Sequence, residues 1–152
     1  MTQRSQAHDE VVAGVTTTLL DYCDCVDENR PEDFAALFVE DGVFAEGDPA
    51  LGRAHIEARF RKLLRPMTAT THHLSNIRVF PGEDGNTATA RAHIYAWHQL
   101  ADGNQFEIWG RYVDELRLEP DGRWRFVRRE VQVAGAKGIE VSGLTRLPRR
   151  DV

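Results

Sequence analysis

The chain has 152 residues, of which 41% are hydrophobic, and its formal net charge is -5. This length and composition suffice to bury an ordinary core as one domain, without metals or disulfides. The negative charge argues against a nucleic-acid partner, which would require a basic stripe. No apolar segment approaches the roughly 18 residues of a membrane span, and residues 1–10 lack an apolar signal core. We therefore expect a cytoplasmic protein with neither a nucleic-acid nor a membrane partner.

The first third of the sequence has helical periodicity. Between residues 8 and 27, apolar side chains recur every three or four positions and predict an amphipathic helix. Pro31 and the acids after it predict a second, short helix that carries Phe34, Leu37 and Phe38 and ends at Asp41-Gly42, before a short strand at 43–45. A third helix is predicted after Gly52. Its apolar face contains Ile56, Phe60, Leu63 and Leu64, and Pro66 stops it.

Beyond Pro66 the period changes from helical to alternating. Strands are predicted at about 70–80, 86–99, 105–118 and 123–134, and the turn clusters between them predict consecutive hairpins. Three helices followed by an antiparallel meander are typical of an α+β domain with its helices on one face of one sheet. We expect this domain at 8–134, followed by a C-terminal tail at 135–152 that is a loose terminus from Thr145 onwards.

Two adjacent histidines, His72 and His73, lie near the start of the strand predicted at 70–80. Successive side chains of a strand point to opposite faces, so only one of the two can face the interior. Alternation places His73 on one face of the strand with Ser75 and Ile77. It places His72 on the opposite face with Leu74 and Asn76. In the next strand, one face is small and apolar and is suited to lie around a cavity. That face contains Ala88, Ala90, Ala92, Ile94 and Ala96, with His98 at its end.

Five segments follow one another in a recognisable order: "DYCDCVDENRPEDFAALFVEDGVF", "GRAHI", "THHLSN", "GRYVDEL" and "GRWRFVRREV". This order resembles the SnoaL-like branch of the nuclear transport factor 2-like superfamily, over roughly residues 8–134. The resemblance implies a cone-shaped α+β barrel, in which a curved, mostly antiparallel sheet wraps around three N-terminal helices and encloses an apolar pocket. It also implies a homodimer.

The same resemblance implies a cofactor-independent enzyme. Relatives of this shape include scytalone dehydratase, bile-acid dehydratase, ketosteroid isomerase, a dehydrochlorinase and polyketide cyclases, which need no metal and no organic cofactor. The implied function is that of a lyase (dehydratase) or isomerase acting on a hydrophobic small molecule such as a steroid, polyketide or terpenoid. Two other functions remain open: a non-catalytic ligand-binding or dimerisation domain, and a polyketide cyclase or epoxide hydrolase in which a pocket acid activates water.

By position, the resemblance implies that His73 is the general base and that Asp27 is the carboxylate paired with it, with Asp24 as a rival partner. Imidazole suits this role because its ordinary pKa lies near neutral pH. A carboxylate on the other ring nitrogen fixes the tautomer and stabilises the imidazolium that forms. The expected pair would therefore remove a proton next to an electron-withdrawing group.

Three further site residues are implied in the same way. Tyr22 and His98 match groups that donate a hydrogen bond to a carbonyl or leaving oxygen. Arg129 matches the arginine that closes many of these pockets, and Arg128, its neighbour on the strand, faces the opposite way. The catalytic acid that bile-acid dehydratase carries on the strand at 95–98 is missing here, which leaves the substrate open.

The remaining candidates are interpreted as structural. His72 is expected at a surface or an interface, and Asp114-Glu115 are expected to be surface acids. A metal site on His72, His73 and His98 is disfavoured, because adjacent strand histidines point to opposite faces and no nearby carboxylate completes the ligand set.

Overall fold

A computed structural model describes the backbone of residues 3–149 and the side chains of residues 6–149. Its three helices are α1 (Gln3–Asp27), α2 (Pro31–Ala36) and α3 (Arg53–Leu64). Its seven strands are β1 (Phe38–Ala45), β2 (Ala50–Leu51), β3 (Met67–Pro81), β4 (Thr87–Leu100), β5 (Gln105–Leu118), β6 (Trp124–Lys137) and β7 (Thr145–Arg146). None of the described helices combines the length and the apolar character needed to cross a bilayer.

The strands form one curved sheet in the order β2-β1-β6-β5-β4-β3, with β7 paired to β6. The long strands β3 to β6 are consecutive antiparallel hairpins, as predicted, whereas β1 joins β6 in parallel. Within the described residues the sheet stays open, because β2 and β3 lie at its two ends. The predicted α+β class, with three N-terminal helices and a curved, mostly antiparallel sheet, is confirmed.

The core lies between α1 and the inner face of the sheet. The predicted stripe of α1 is buried, and its members are Val11, Val15, Leu19, Tyr22 and Val26. The inner face of β4 is also the predicted one, and it consists largely of buried alanines. Because alanine side chains are short, this face leaves space between the sheet and the helices.

The second helix is shorter than predicted. It ends at Ala36, and Phe38, which fits a helical stripe in the sequence, instead begins β1. The physical reason is that Phe38 pairs with Phe126 of β6 and is fully buried there, so sheet pairing overrides the local pattern. The chain also contains β2, which the sequence did not predict, and α1 begins at Gln3 rather than at residue 8.

The tail is fastened to the sheet where it was expected to be loose. Thr145–Arg146 pair with β6, and the backbone N–H of Leu147 donates to the carbonyl of Val133 at 2.9 Å. Gly138 lets the chain leave β6: its φ is +80°, and a Cβ there would collide with the carbonyl oxygen of Gln105. The last part of the predicted loose terminus, residues 150–152, lies outside the described residues.

Candidate active site

A cavity of about 400 Å³ lies between the inner face of the sheet and the helices. Most of its wall is apolar and aromatic, and a volume of this size suits a small-molecule ligand. The polar side chains on the wall are Tyr22, Glu46, Arg59, His72, His98, Tyr112 and Glu140. Residues 139–144 of the tail supply part of the wall, so the segment between β6 and β7 helps to enclose the cavity.

Asp27, the last residue of α1, is paired with His72 of β3. Its Oδ1 accepts a hydrogen bond from Nδ1 of His72 at 2.7 Å, and its Oδ2 accepts one from the backbone N–H of His72 at 2.9 Å. The hydroxyl of Thr70 donates to Oδ1 at 2.8 Å. An ionised carboxylate only accepts hydrogen bonds, so Nδ1 carries the proton and Nε2 is left to act on a ligand. Asp24, the rival partner, is exposed.

The charge of Asp27 is maintained by these hydrogen bonds. Partial burial by itself would raise the pKa of the Asp27 carboxyl. The side chain and backbone of His72, together with the Thr70 hydroxyl, more than offset that effect and hold the pKa below its ordinary value. Asp27 is therefore a carboxylate at neutral pH, as a group that orients an imidazole and stabilises an imidazolium must be.

His73, the predicted partner of Asp27, lies on the other face of the sheet. Its side chain is exposed, with Nε2 at 3.1 Å from the hydroxyl of Thr71 and its ring 5.9 Å from that of Tyr95. The prediction that Asp27 pairs with His73 is wrong. The expectation that His72 lies at a surface is also wrong, because only 8% of its side chain is exposed.

The reason is the register between β3 and β4. His72 pairs with Ala96, whereas His73 pairs with Tyr95. Residues directly opposite in an antiparallel pair share a face, and Ala96 belongs to the buried face of β4. His72 is therefore directed into the molecule, where it lines the cavity.

His98 lies beside His72 on the cavity wall, as a predicted pocket residue. Its ring stacks on Phe106 with centroids 4.1 Å apart, and it meets the His72 ring edge-on at 5.3 Å. Burial, with a contribution from the charge of His72, lowers the pKa of His98 to about 4. Its Nδ1 is buried and finds no hydrogen-bond partner within residues 6–149. At neutral pH His98 is thus uncharged, and its Nδ1 has no hydrogen bond to any of the described residues.

Tyr22 also lines the cavity, whereas Arg129 lies behind the wall. Burial raises the pKa of Tyr22 far above its ordinary value, so its hydroxyl keeps its proton and can donate to a ligand. The Arg129 side chain is 0% exposed, and its guanidinium carbon lies 4.0 Å from the Tyr22 ring centroid and 4.1 Å from that of Tyr112. Arg129 therefore supports the two tyrosines from behind.

Arg129 is neutralised by Asp114, which the sequence suggested was a surface acid. Its Nε and Nη2 each donate to the Asp114 carboxylate at 2.8 Å, and both side chains are fully buried. Burial raises the pKa of Asp114, while the charge and hydrogen bonds of Arg129 oppose that effect. A signal for this burial was present, because Asp114 lies on the same face of β5 as the apolar Tyr112 and Leu116. Arg128 is partly exposed and pairs with Glu130 at 3.1 Å.

Glu46, which follows β1, is a wall residue that sequence reasoning missed. Burial raises the pKa of its carboxyl, and the charges of Arg59 and His72 act in the opposite direction. Arg59 donates to two backbone carbonyls, those of Glu46 at 3.0 Å and Asp48 at 2.6 Å. The one feature of the sequence that could have indicated Glu46 as a wall residue is its position directly after the short apolar strand predicted at 43–45.

These side chains do not form a metal centre. Within residues 6–149, no group of three or more His, Cys, Asp or Glu side chains is placed to hold a metal ion.

The chain belongs to the SnoaL-like domain family, whose sequence profile matches residues 9–130. This confirms the resemblance to the SnoaL-like branch of the nuclear transport factor 2-like superfamily. Among curated proteins, none matches the chain.

Solved structures with the same fold cover nearly the whole chain. A proposed scytalone dehydratase from Novosphingobium aromaticivorans is 25% identical, with a TM-score of 0.89 over 97% of this chain and 99% of that chain. A proposed aromatic ring hydroxylase from the same organism is 27% identical, with a TM-score of 0.80 over 86% of this chain and 94% of that chain. The hexachlorocyclohexane dehydrochlorinase LinA type 2 is 16% identical, with a TM-score of 0.79 over 95% of this chain and 97% of that chain.

Proposed function

We propose that this protein is a cofactor-independent lyase that eliminates a small group from a hydrophobic substrate, with His72 as the general base. The observation that carries the proposal is the Asp27–His72 pair, joined at 2.7 Å and set in the wall of a mostly apolar cavity. The base is His72 and not His73, because His72 is the histidine that meets both the carboxylate and the cavity.

The proposed chemistry follows from the protonation states of the polar side chains that line the cavity. Nε2 of His72 takes a proton from a carbon next to an electron-withdrawing group, and Asp27 stabilises the imidazolium that forms. Tyr22 and His98 donate hydrogen bonds to the oxygen on which negative charge develops. A positioned base of this kind is worth about 10²–10⁴ in rate. The apolar wall excludes water and so strengthens each of these interactions.

The comparisons support elimination as the reaction type. The proposed scytalone dehydratase has nearly the same length and fold, and LinA type 2, which shares the fold, is a dehydrochlorinase. Both names describe the removal of a small molecule from a larger one. The cavity of about 400 Å³ fits a steroid-, polyketide- or terpenoid-like ligand in size and polarity.

Kinetics on three variants test the proposal. Hydrophobic cyclic ketones with a leaving group β to the carbonyl serve as substrates, and kcat/KM is measured for elimination and for double-bond isomerisation. We expect His72→Gln to lose about 10²–10⁴ in kcat/KM. The kcat/KM of Asp27→Asn is also expected to fall, because this substitution removes the charge that stabilises the imidazolium.

The matched control is His73→Gln, the same substitution on the adjacent residue but on the outer face, and it should keep wild-type activity. Full activity of His72→Gln, or an equal loss in His73→Gln, would contradict the proposal. Tight ligand binding with no turnover in the wild type would support a ligand-binding domain instead.

For assembly we propose a homodimer that uses the outer face of the sheet. Trp109 on this face is 40% exposed and lies 5.8 Å from the Tyr95 ring, centroid to centroid. Exposed aromatic clusters of this kind are common at protein interfaces. Trp109→Glu should reduce the mass measured by sedimentation equilibrium from that of a dimer to that of a monomer. An unchanged dimer in the variant would place the interface elsewhere.

A further inference from the structure

We propose that Glu46 is the general acid of the reaction and that the group it helps to expel is a hydroxyl. The proposal rests on the elimination proposed above and specifies its substrate class: a hydrophobic β-hydroxy carbonyl compound, or a related alcohol activated in the same way.

The first support is the position of Glu46 relative to His72. Glu46 follows β1, and His72 lies on β3, and the order of the sheet places β6, β5 and β4 between those two strands. Both side chains nevertheless line the same cavity. The charge of His72 also acts on the Glu46 carboxyl, so one ligand in that cavity can contact both the acid and the base.

The second support is that the half-buried Glu46 carboxyl lines the cavity without a hydrogen bond or an ion pair of its own within the described residues. Arg59, the nearest candidate cation, donates to the backbone carbonyls of Glu46 and Asp48 instead. Burial raises the pKa of the Glu46 carboxyl, with Arg59 and His72 opposing. The raised pKa moves the Glu46 carboxyl towards its neutral form, which has a proton to give.

Tyr22 and His98 are poor proton donors by comparison. Tyr22 holds its proton strongly because burial raises its pKa. His98 is neutral at working pH because burial lowers its pKa to about 4. Each can donate a hydrogen bond, but full proton transfer to a leaving oxygen requires a stronger acid. Two carboxyl groups line the cavity, and Glu46 is half-buried whereas Glu140 is exposed, so Glu46 is the stronger candidate for a retained proton.

The proposed step balances as a dehydration. His72 Nε2 takes the proton from carbon, the C–H electrons form the C=C bond, and the C–O bond breaks. The departing oxygen takes the Glu46 proton and leaves as water. This leaves an imidazolium at His72 and a carboxylate at Glu46, and transfer of one proton through water restores both. Chloride is stable as a free anion and needs no acid, so the acid matters for a hydroxyl and not for a halide.

Infrared spectroscopy of the free protein tests the acid form directly. Protein labelled with ¹³C at glutamate carboxyls should show a protonated-carboxyl band at neutral pH that is missing from Glu46→Gln. Circular dichroism and thermal unfolding of Glu46→Gln check that the variant is folded. A spectrum with no such band at neutral pH overturns the proposal, because Glu46 would then have no proton to donate.

Kinetics on two substrates with the same hydrophobic ketone skeleton provide the second test. One carries a β-hydroxyl and the other a β-chloride, and rates are corrected for spontaneous loss of chloride. Glu46→Gln should lose about 10²–10⁴ in kcat/KM on the hydroxyl substrate and change little on the chloride. Glu83→Gln, the same substitution in an exposed turn, is the control and should match wild type on both.

The outcomes separate this proposal from the one it rests on. His72→Gln should lose activity on both substrates, because both require the base. Equal losses of Glu46→Gln on the two substrates would mean a structural role and would overturn the acid assignment alone. Wild-type protein that converts neither substrate would overturn the elimination itself, and the acid role with it.

Discussion

Asp27 holds His72 by two groups at once, the imidazole Nδ1 at 2.7 Å and the backbone N–H at 2.9 Å. The two carboxylate oxygens thus fix both the ring and the strand backbone that carries it. This ties the end of α1 to β3, so the orientation of the His72 ring is set by the packing of a helix against a sheet. An imidazole held in this way is already oriented before any ligand binds.

We predict that Asp27 determines the tautomer of His72. In the wild type the neutral ring carries its proton on Nδ1, because the carboxylate can only accept. In Asp27→Asn the amide nitrogen can donate, so we expect the Nε2-protonated tautomer to gain population. Long-range ¹H–¹⁵N NMR spectra of labelled protein distinguish the two forms. The His73 signals are the internal control and should not change; an unaltered His72 pattern in the variant would refute the orienting role.

The Asp27 carboxylate should also make the free energy of unfolding depend on pH in the acid range. The pKa of Asp27 is lower in the folded protein than its ordinary value of 3.8, so its stabilisation is complete above that value and is lost as pH falls through the folded pKa. We expect Asp27→Asn to cost about 1–3 kcal/mol at pH 7. In urea titrations the gap between wild type and variant should narrow below about pH 4. A gap that stays constant down to pH 2 would contradict this linkage.

His98 should make the free energy of unfolding depend on pH over a different range. Its pKa is lowered from 6.5 to about 4 by burial, so the unfolded chain binds a proton that the folded one does not. Stability should therefore fall as pH decreases from about 6.5 to about 4, by up to about 3 kcal/mol. His98→Phe keeps the stack on Phe106 and should remove this slope. His93→Phe, an exposed residue of the same strand, should retain it.

The buried Arg129–Asp114 pair should be costly to break on one side. Arg129→Met leaves Asp114 buried without its counter-ion, and Asp114→Asn leaves the arginine in the same state. We expect either change to cost about 3–5 kcal/mol of unfolding free energy. The double variant Arg129→Met/Asp114→Leu should lose less unfolding free energy than the sum of the losses in the two single variants. Arg128→Met, next in the chain and partly exposed, should change stability by less than about 1 kcal/mol.

The fold was predictable because its signals are local. The helical stripe of α1 and the strict alternation of β4 both appear in the sequence and both match the structure. Phe38 is an exception, because its conformation depends on a contact that is distant in sequence. Its spacing from Phe34 fits a helix, and only its pairing with Phe126 of β6, distant in sequence, makes it a strand residue.

The site was less predictable because it depends on register. In a regular strand Leu74 and Ile77 lie on opposite faces, so the apolar residues of β3 do not reveal which histidine faces inward. The structure resolves this with an irregularity: Asn76 has a φ of +50°, and the register shifts between Ser75 and Arg78. Both Leu74 and Ile77 thereby pack against the core. A bulge of this kind has no clear signature in a single sequence.

The wall formed by residues 139–144 has a consequence for how this protein can diversify. That segment is attached through β7 and the Leu147 backbone to β6, and it lines the cavity but contains neither Asp27 nor His72. Under the function proposed above, part of the surface that selects the ligand is therefore encoded apart from the pair that moves the proton. Mutations in this short segment can then alter which ligand fits, while the codons for Asp27 and His72 remain untouched.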